Sequence, residues 1–423
     1  MRLNVTSEVG KLKSVLVHLP GREIDVMSPR MMEDLLFDDI LYGQLAREEH
    51  RRFQQIMRYV VEDVYDIQDL LEEIFEEPEQ KRLVVADFCK RSRLSPRLCE
   101  ELADENAAHL AEIIIGGIVT PQSARSGELP GFVLAPVPNL FFMRDPQTVI
   151  GDGVAICAMA TAARQRESLL SHYVFKHHRD FRRKDVLWMD PWETPPPRVK
   201  GARKPTIEGG DVLVARRDLL VVGISARTNR AGIEYLADSL KASGAGVKTI
   251  IMVEIPRLRS FMHLDTVFTI ISENEALVYP PVVFRGGGEE AKVYQVDLTK
   301  RQTVYSSQKS LMQALKKKGM DLEPISCGGD QPINQQREQW TDGANAFVLA
   351  PGIILLYDRN TNTADELTAH GYEVVYEDDL LLGRSELETW TDKKYAIQIQ
   401  GHELSRARGG PRCMTMPLER EEL

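Results

Sequence analysis

A short pattern recurs along this chain and constrains its fold more than any single motif does: a polar cluster, a strand, a turn, a second strand, and then a helix. In the first unit Asp145-Pro146 leads into Thr148-Val149-Ile150, a Gly151-Asp152-Gly153 turn and Val154 to Met159, after which Ser168 to Phe175 has helical period. The second runs from Ile207-Glu208-Gly209-Gly210-Asp211 through Val212-Leu213-Val214, a turn at Arg216-Arg217-Asp218, the strand Leu219 to Gly223 and a helix from about Ala231 to Leu240. The third sets Met262-His263-Leu264-Asp265 before strands over Thr266 to Ile271 and Ala276 to Tyr279. The fourth sets Trp340-Thr341-Asp342-Gly343-Ala344-Asn345 before Phe347-Val348-Leu349, the Pro351-Gly352 turn, Ile353 to Tyr357 and a helix reaching His370. A fifth can be assembled from the two ends of the chain. Cys413 follows Arg408-Gly409-Gly410-Pro411-Arg412 and begins an apolar run, and Leu12 to Leu19 reads as the opening strand.

Repeats that bury shared faces tend to be arranged about an axis, which brings equivalent positions together. Asp145, Glu208, Asp211, His263, Asp265 and Cys413, far apart in sequence, are then expected in one pocket. Residues 31–130 are expected to form a helical segment, and residues 1–30 with 131–423 the α/β catalytic domain. Helical period runs from about Met31 to Ile74 and on to about Gly116, with Ser95-Pro96 as a helix start. Within and beside that block, Asp38-Asp39 reads as a cap or solvated turn. Glu72 to Glu79 reads as a solvated acidic surface, and His177-His178-Arg179 to Lys184 as a solvated helix end. His18 is expected to be structural, and Cys89 and Cys99 to be packing residues.

The balance of 53 basic and 63 acidic residues gives 53 − 63 = −10, which argues against nonspecific binding to nucleic acid. No run approaches a membrane span, and Met1 to Leu19 holds no apolar stretch of signal-peptide length, so a cytoplasmic location is expected. The five cysteines are scattered without a Cys-x-x-Cys spacing, so neither a disulfide framework nor a zinc site is expected. No phosphate-binding glycine loop is present, and no cofactor or metal is expected.

A thiol, an imidazole and several carboxylates suit covalent catalysis on an electrophilic carbon. That many negative charges in one pocket are costly unless a cation enters it, and the planar guanidinium is the natural partner of two carboxylates. Arg164, Arg227 and Arg408 could hold a carboxylate at the other end of the same substrate. A cation at one end and a carboxylate at the other describes arginine.

The motifs Phe141-Phe142-Met143-Arg144-Asp145-Pro146, Glu208-Gly209-Gly210-Asp211, Met262-His263-Leu264-Asp265, Arg337-Glu338-Gln339-Trp340 and Cys413-Met414-Thr415-Met416-Pro417 resemble those of the arginine deiminases, in the guanidino-group-modifying superfamily. The resemblance runs from Ser7-Glu8-Val9-Gly10-Lys11-Leu12 to Cys413. It implies a five-bladed, pseudo-fivefold α/β propeller with an inserted all-helical domain, in a homo-oligomer. By resemblance Cys413 is the nucleophile and His263 the proton carrier. Asp145 and Asp265 bind the guanidinium, and Glu208 hydrogen-bonds the substrate and biases His263 toward its charged form. Asn139, Arg164, Arg227 and Arg408 fix the substrate's backbone end, while Asp211 either supports the site from behind or touches the substrate. Arg412, beside the nucleophile, stands where histidine is also common. Agmatine deiminases, dimethylarginine hydrolases, amidinotransferases and a catalytically silent arginine sensor are the alternatives.

Overall fold

The computed structural model describes residues 1–120, 131–182, 186–196, 203–300 and 304–423. The first unit is the antiparallel pair Gln147–Ile150 and Gly153–Ile156, and its second strand pairs in parallel with Leu187–Met189 beyond the helix Gln165–His177. The same order returns three times. Val212–Arg216, Leu219–Ile224 and Thr249–Glu254 enclose the helix Arg230–Ser243; Phe268–Ile270, Glu275–Val278 and Glu323–Ser326 enclose Leu311–Lys317; Phe347–Ala350, Ile353–Tyr357 and Lys394–Ile399 enclose Thr361–Ala369. The helix after the third hairpin, unread in the sequence, is delayed because Lys292–Asp297 and Val304–Gln308 first extend the second unit's sheet.

The two ends of the chain complete a further unit. Leu12–Val17 pairs antiparallel with Met416–Arg420, with Val15 opposite Pro417, and in parallel with Asp63–Asp66. This corrects the expectation of one helical block over residues 31–130. The strand Asp63–Asp66 interrupts it, and the helix Gly43–Met57 before that strand is the crossover of the end-to-end sheet. Its apolar face, including Phe53, Ile56 and Met57, packs into the core that holds Val15, Phe347, Tyr395 and Cys413. The helices Ile67–Glu76, Pro78–Ser92, Pro96–Asp104 and Ala107–Gly116 pack on a different core, shared with Val149, Val154 and Leu170. Helical periodicity cannot separate the two groups, because both bury one apolar stripe and differ only in the partner they bury it against.

The helix start at Ser95-Pro96 is where the sequence puts it: the Ser95 hydroxyl accepts from Leu98 N at 3.3 Å, and Pro96 supplies a first-turn residue with no donor to lose. Three surface assignments gain partners that the sequence did not show. The acidic run and the basic helix end meet each other, Glu73 with His178 at 3.2 Å and with Arg179 at 2.6 Å, and Glu77 with Arg182 at 2.5 Å. Opposite charges 105 residues apart are brought together by docking of the helices Ile67–Glu76 and Gln165–His177, a contact no local pattern reveals. Lys184, the end of that cluster, and residues 121–130, the end of the helical segment, lie outside the described residues. Asp38 and Asp39 lie in a bend, as a turn reading has it, and they also pair with Arg259 and, at 2.6 Å, with Arg406. His18 is structural, buried between Asp66 at 3.1 Å and Glu23 at 3.3 Å.

Candidate active site

Every polar cluster stands immediately upstream of the first strand of its unit, so the strands fan out from a shared centre and carry the clusters inward. Short 3₁₀ turns, Gly209–Asp211 and Leu264–Thr266, set Asp211 and Asp265 at the heads of their strands. The glycine pair of Glu208-Gly209-Gly210-Asp211 has a steric reason. A β carbon on Gly209 would lie 2.0 Å from Arg144 O, and one on Gly210 would lie 2.7 Å from the His263 ring and 2.8 Å from Asp145 Oδ1. Only glycine lets the His263 and Asp145 side chains close over this backbone.

The structure brings Asn139, Asp145, Arg164, Arg227, His263, Arg408 and Cys413 to the wall of one cavity, together with Leu36, Phe142, Met262 and Thr266. Its free space is only about 20 Å³, room for about one water. Glu208, Asp211 and Asp265 stand behind this wall. His263 Nε2 is 2.8 Å from Glu208 Oε2, and His263 Nδ1 is 3.6 Å from Asp145 Oδ1. Arg412 Nη1 donates to Asp265 Oδ2 at 2.7 Å, and the Cys413 thiol donates to that same oxygen at 3.9 Å. Asp145 Oδ2 accepts from Arg164 at 2.6 Å. The second oxygens, Asp145 Oδ1 and Asp265 Oδ1, are buried and have no hydrogen-bond partner. Buried carboxylate oxygens are rarely left so, and the pair is disposed to accept from a donor-rich cation.

Asp211 takes the supporting position. Its carboxylate accepts from Leu264 N at 2.8 Å and the Ser225 hydroxyl at 2.6 Å, which ties the second and third units together. The three arginines expected at the substrate's far end are not equivalent. Arg164 is committed, to Asp145, to Glu167 at 2.8 Å and to the main chain of Asn139, so its charge is already answered. Arg227 Nη1 and Arg408 Nε and Nη1 are buried without a hydrogen-bond partner among the described residues. Asn139 uses its side-chain amide to hold Leu35 O at 2.7 Å, which fastens the segment carrying Leu36 over the cavity.

Burial pulls the His263 imidazole down, yet Asp145, Glu208 and Asp211 outweigh it and hold its pKa up at about 9, so it is charged at neutral pH. The Glu208 carboxyl is kept low, burial being outweighed by His263, Arg227 and Arg164. Burial pushes the Cys413 thiol well above its ordinary value, and Asp265, Asp145 and Asp342 push it further. Both shifts run in one direction: burial and acidic neighbours favour the proton on the Cys413 sulfur, and acidic neighbours favour the charged form of His263.

Asn345 is a site residue that sequence reasoning passed over. Its Oδ1 accepts from Cys413 N at 3.1 Å and its Nδ2 donates to Asp265 O at 3.2 Å, so it clamps the Cys413 backbone to that of Asp265. The signal was present, since Asn345 occupies in the fourth unit the slot of Asp145 and Asp265. Glu8 was likewise only part of a motif, and it holds Arg412 at 3.1 Å beneath the site.

Asp145, Glu208 and His263 lie close enough to share a cation. Arg164 already brings positive charge there, 2.6 Å from Asp145 and 3.8 Å from Glu208. His172, Asp190 and Glu193 form a second such group, where Lys176 pairs with Glu193.

The fold is shared with enzymes that act on guanidino and amidino groups. SxtG, an amidinotransferase from Microseira wollei, matches with a TM-score of 0.54 at 14% identity over 100% of this chain and 98% of its own. The N-terminal domain of the cyanobacterial arginine dihydrolase ArgZ, covalently bound to a reaction intermediate, matches with a TM-score of 0.52 at 13% identity over 96% of this chain and 98% of its own. At such identities the likeness speaks for the fold alone, an α/β propeller of the guanidino-modifying enzymes. Sequence narrows the class. The arginine deiminase family model matches residues 33–420, and an arginine deiminase of Bacillus thuringiensis subsp. konkukian is 33% identical over 439 residues, covering 100% of this chain and 99% of its own. This chain belongs to the arginine deiminase family, hydrolases that act on the guanidino group of arginine.

Proposed function

We propose that this protein hydrolyses L-arginine to L-citrulline and ammonia through a covalent S-alkylthiouronium intermediate on Cys413, in arginine catabolism. The observation that carries this is the pair of buried oxygens, Asp145 Oδ1 and Asp265 Oδ1, without a hydrogen-bond partner among the described residues, in a site whose cavity is lined by Cys413 and by two arginines, Arg227 and Arg408, that pair with no described carboxylate. A guanidinium between the two carboxylates satisfies both oxygens, and a carboxylate between the two arginines satisfies the donors.

The entering cation offsets the negative field that keeps the proton on sulfur, so as substrate binds the thiol releases that proton to solvent, to be regained when the cycle closes, and the thiolate forms. The sulfur attacks the central carbon, and the C–N bond to one terminal nitrogen breaks. His263, charged up to about pH 9, gives that nitrogen its proton, and ammonia leaves. The imidazole, now neutral and oriented by Glu208, takes a proton from water; the hydroxyl adds to the thiouronium carbon and the C–S bond breaks, giving citrulline and the free sulfur. Asp211 and Arg164 act through others, Asp211 by fixing the His263 strand and Arg164 by orienting Asp145. Because the cavity has free space for about one water, the side chains lining it must shift for substrate to enter.

We read the five hairpin units as five blades about a pseudo-fivefold axis, and helices 67–116 as an inserted helical domain in a cytoplasmic homo-oligomer. Among the described residues no helix is long and apolar enough to cross a membrane.

Incubation with arginine, assaying citrulline and ammonia, tests the activity. Turnover of agmatine without arginine would transfer the protein to the agmatine deiminases, and arginine binding without turnover would make it a sensor.

A further inference from the structure

The segment ahead of the nucleophile is pinned at every point except the one that matters for the carboxylate. Arg406 is held by Asp39 and Glu403, Ser405 by Arg359 at 2.7 Å, and Gly409 O by the Tyr357 hydroxyl at 2.9 Å. Between them Arg408 adopts φ 66°, a left-handed conformation rare for a side chain of its size. Its guanidinium makes no hydrogen bond or ion pair to any described residue; Nε and Nη1 are buried and bare. What it does touch is the Trp340 ring, whose centroid lies 3.3 Å from Cζ. Trp340 ends the helix Pro332–Trp340, is 44% exposed, and lines a groove of about 940 Å³, whereas Arg408 is 8% exposed and lines the catalytic cavity. The stacked pair is thus part of the wall between the groove and the site.

An aromatic face attracts a guanidinium without consuming its N–H donors, which lie in the plane of the group. A carboxylate partner would consume them. The nearby Asp342 is such a candidate, and it stays out of ion-pair range with its own Oδ2 unpartnered.

The geometry points to Trp340 as the residue that positions Arg408, donors free, for the substrate's α-carboxylate, and so as a determinant of selectivity for arginine over its decarboxylated analogue agmatine. This rests on the carboxylate assignment above. Trp340 acts only through Arg408.

Calorimetric titration of Cys413→Ala protein with arginine and with agmatine tests it without any need for turnover. Adding Trp340→Ala is expected to weaken arginine about 10-fold, with agmatine unchanged, and Trp340→Phe, which keeps an aromatic face, to restore most of the loss. Unchanged arginine affinity in Trp340→Ala, or equal weakening of both ligands, overturns the proposal. If Trp340→Ala fails to fold, Trp340→Leu at the same position carries the same two outcomes. Arg408→Ala serves as the reference: loss of discrimination there but none in the Trp340 variants overturns this proposal alone, while no effect in Arg408→Ala overturns the carboxylate assignment and this proposal with it.

Discussion

The two ends of the cavity treat charge in opposite ways. At the sulfur end each carboxylate is tied down by an arginine from the fold, Asp145 by Arg164 and Asp265 by Arg412, and each keeps one oxygen free. At the far end Arg227 and Arg408 have no carboxylate within ion-pair distance among the described residues; Arg227 reaches only the Met262 sulfur at 4.0 Å, and Arg408 only the Trp340 ring. The difference teaches where preorganisation is needed. Bond-making tolerates little displacement, so the acidic end is anchored by permanent ion pairs, whose desolvation is offset within the fold. The basic end only recognises, and it can leave its donors to be satisfied by the ligand.

The sharpest break between the two ends is expected for Cys413→Ala, which should lower turnover by about 10⁴-fold or more and leave arginine binding measurable by calorimetry. Turnover near the parent rate would remove the nucleophile from the acidic end. Arg412→Ala strips the anchor from Asp265 and Glu8 together. Leaving buried carboxylates unpaired should cost about 3–5 kcal/mol of stability in urea denaturation, and a loss under 1 kcal/mol would show that the anchoring is unimportant.

Arg227→Ala, at the recognising end, should leave stability nearly unchanged. It should weaken arginine about 30-fold, and agmatine far less, because agmatine has no carboxylate. Equal losses would place the carboxylate elsewhere. The smallest effect is in pH dependence. His263 binds its proton more tightly folded, at about 9, than at its ordinary 6.5, so its contribution to stability is complete below pH 6.5 and is lost as pH rises through 9. Melting temperature should fall over that interval, and turnover should fall above about pH 9 as the proton donor empties. A flat response of both from pH 7 to 10 would mean that Asp145 and Glu208 do not hold the imidazole charged.

Much of this was legible before any coordinates. The hairpins, their turns and the slot upstream of each first strand follow from period-two patterning and turn residues, and the slot already contained Asp145, Asp265, His263 and Cys413. Asn345 stood in the same slot and was passed over, since an asparagine before a strand looks like turn chemistry until its amide is seen bonding Cys413 N. The single helical block was misread for a related reason. Four residues, Asp63–Asp66, are too few to interrupt a helical pattern, although their partner Leu12–Val17 makes them a strand. Asp38 and Asp39 do sit in a bend, but their pairing with Arg259 and Arg406 could not be read locally, because those arginines lie hundreds of residues away.

By itself the sequence determined which chemical groups this protein has and at which point of each repeat they stand, because both are properties of neighbours along the chain. Only the tertiary structure decided which arginines are spent inside the fold and which are left for a ligand, and that burial and acidic neighbours push the thiol's pKa upward. Those outcomes depend on distances and burial between residues from separate units, and such distances exist only once the units have packed together.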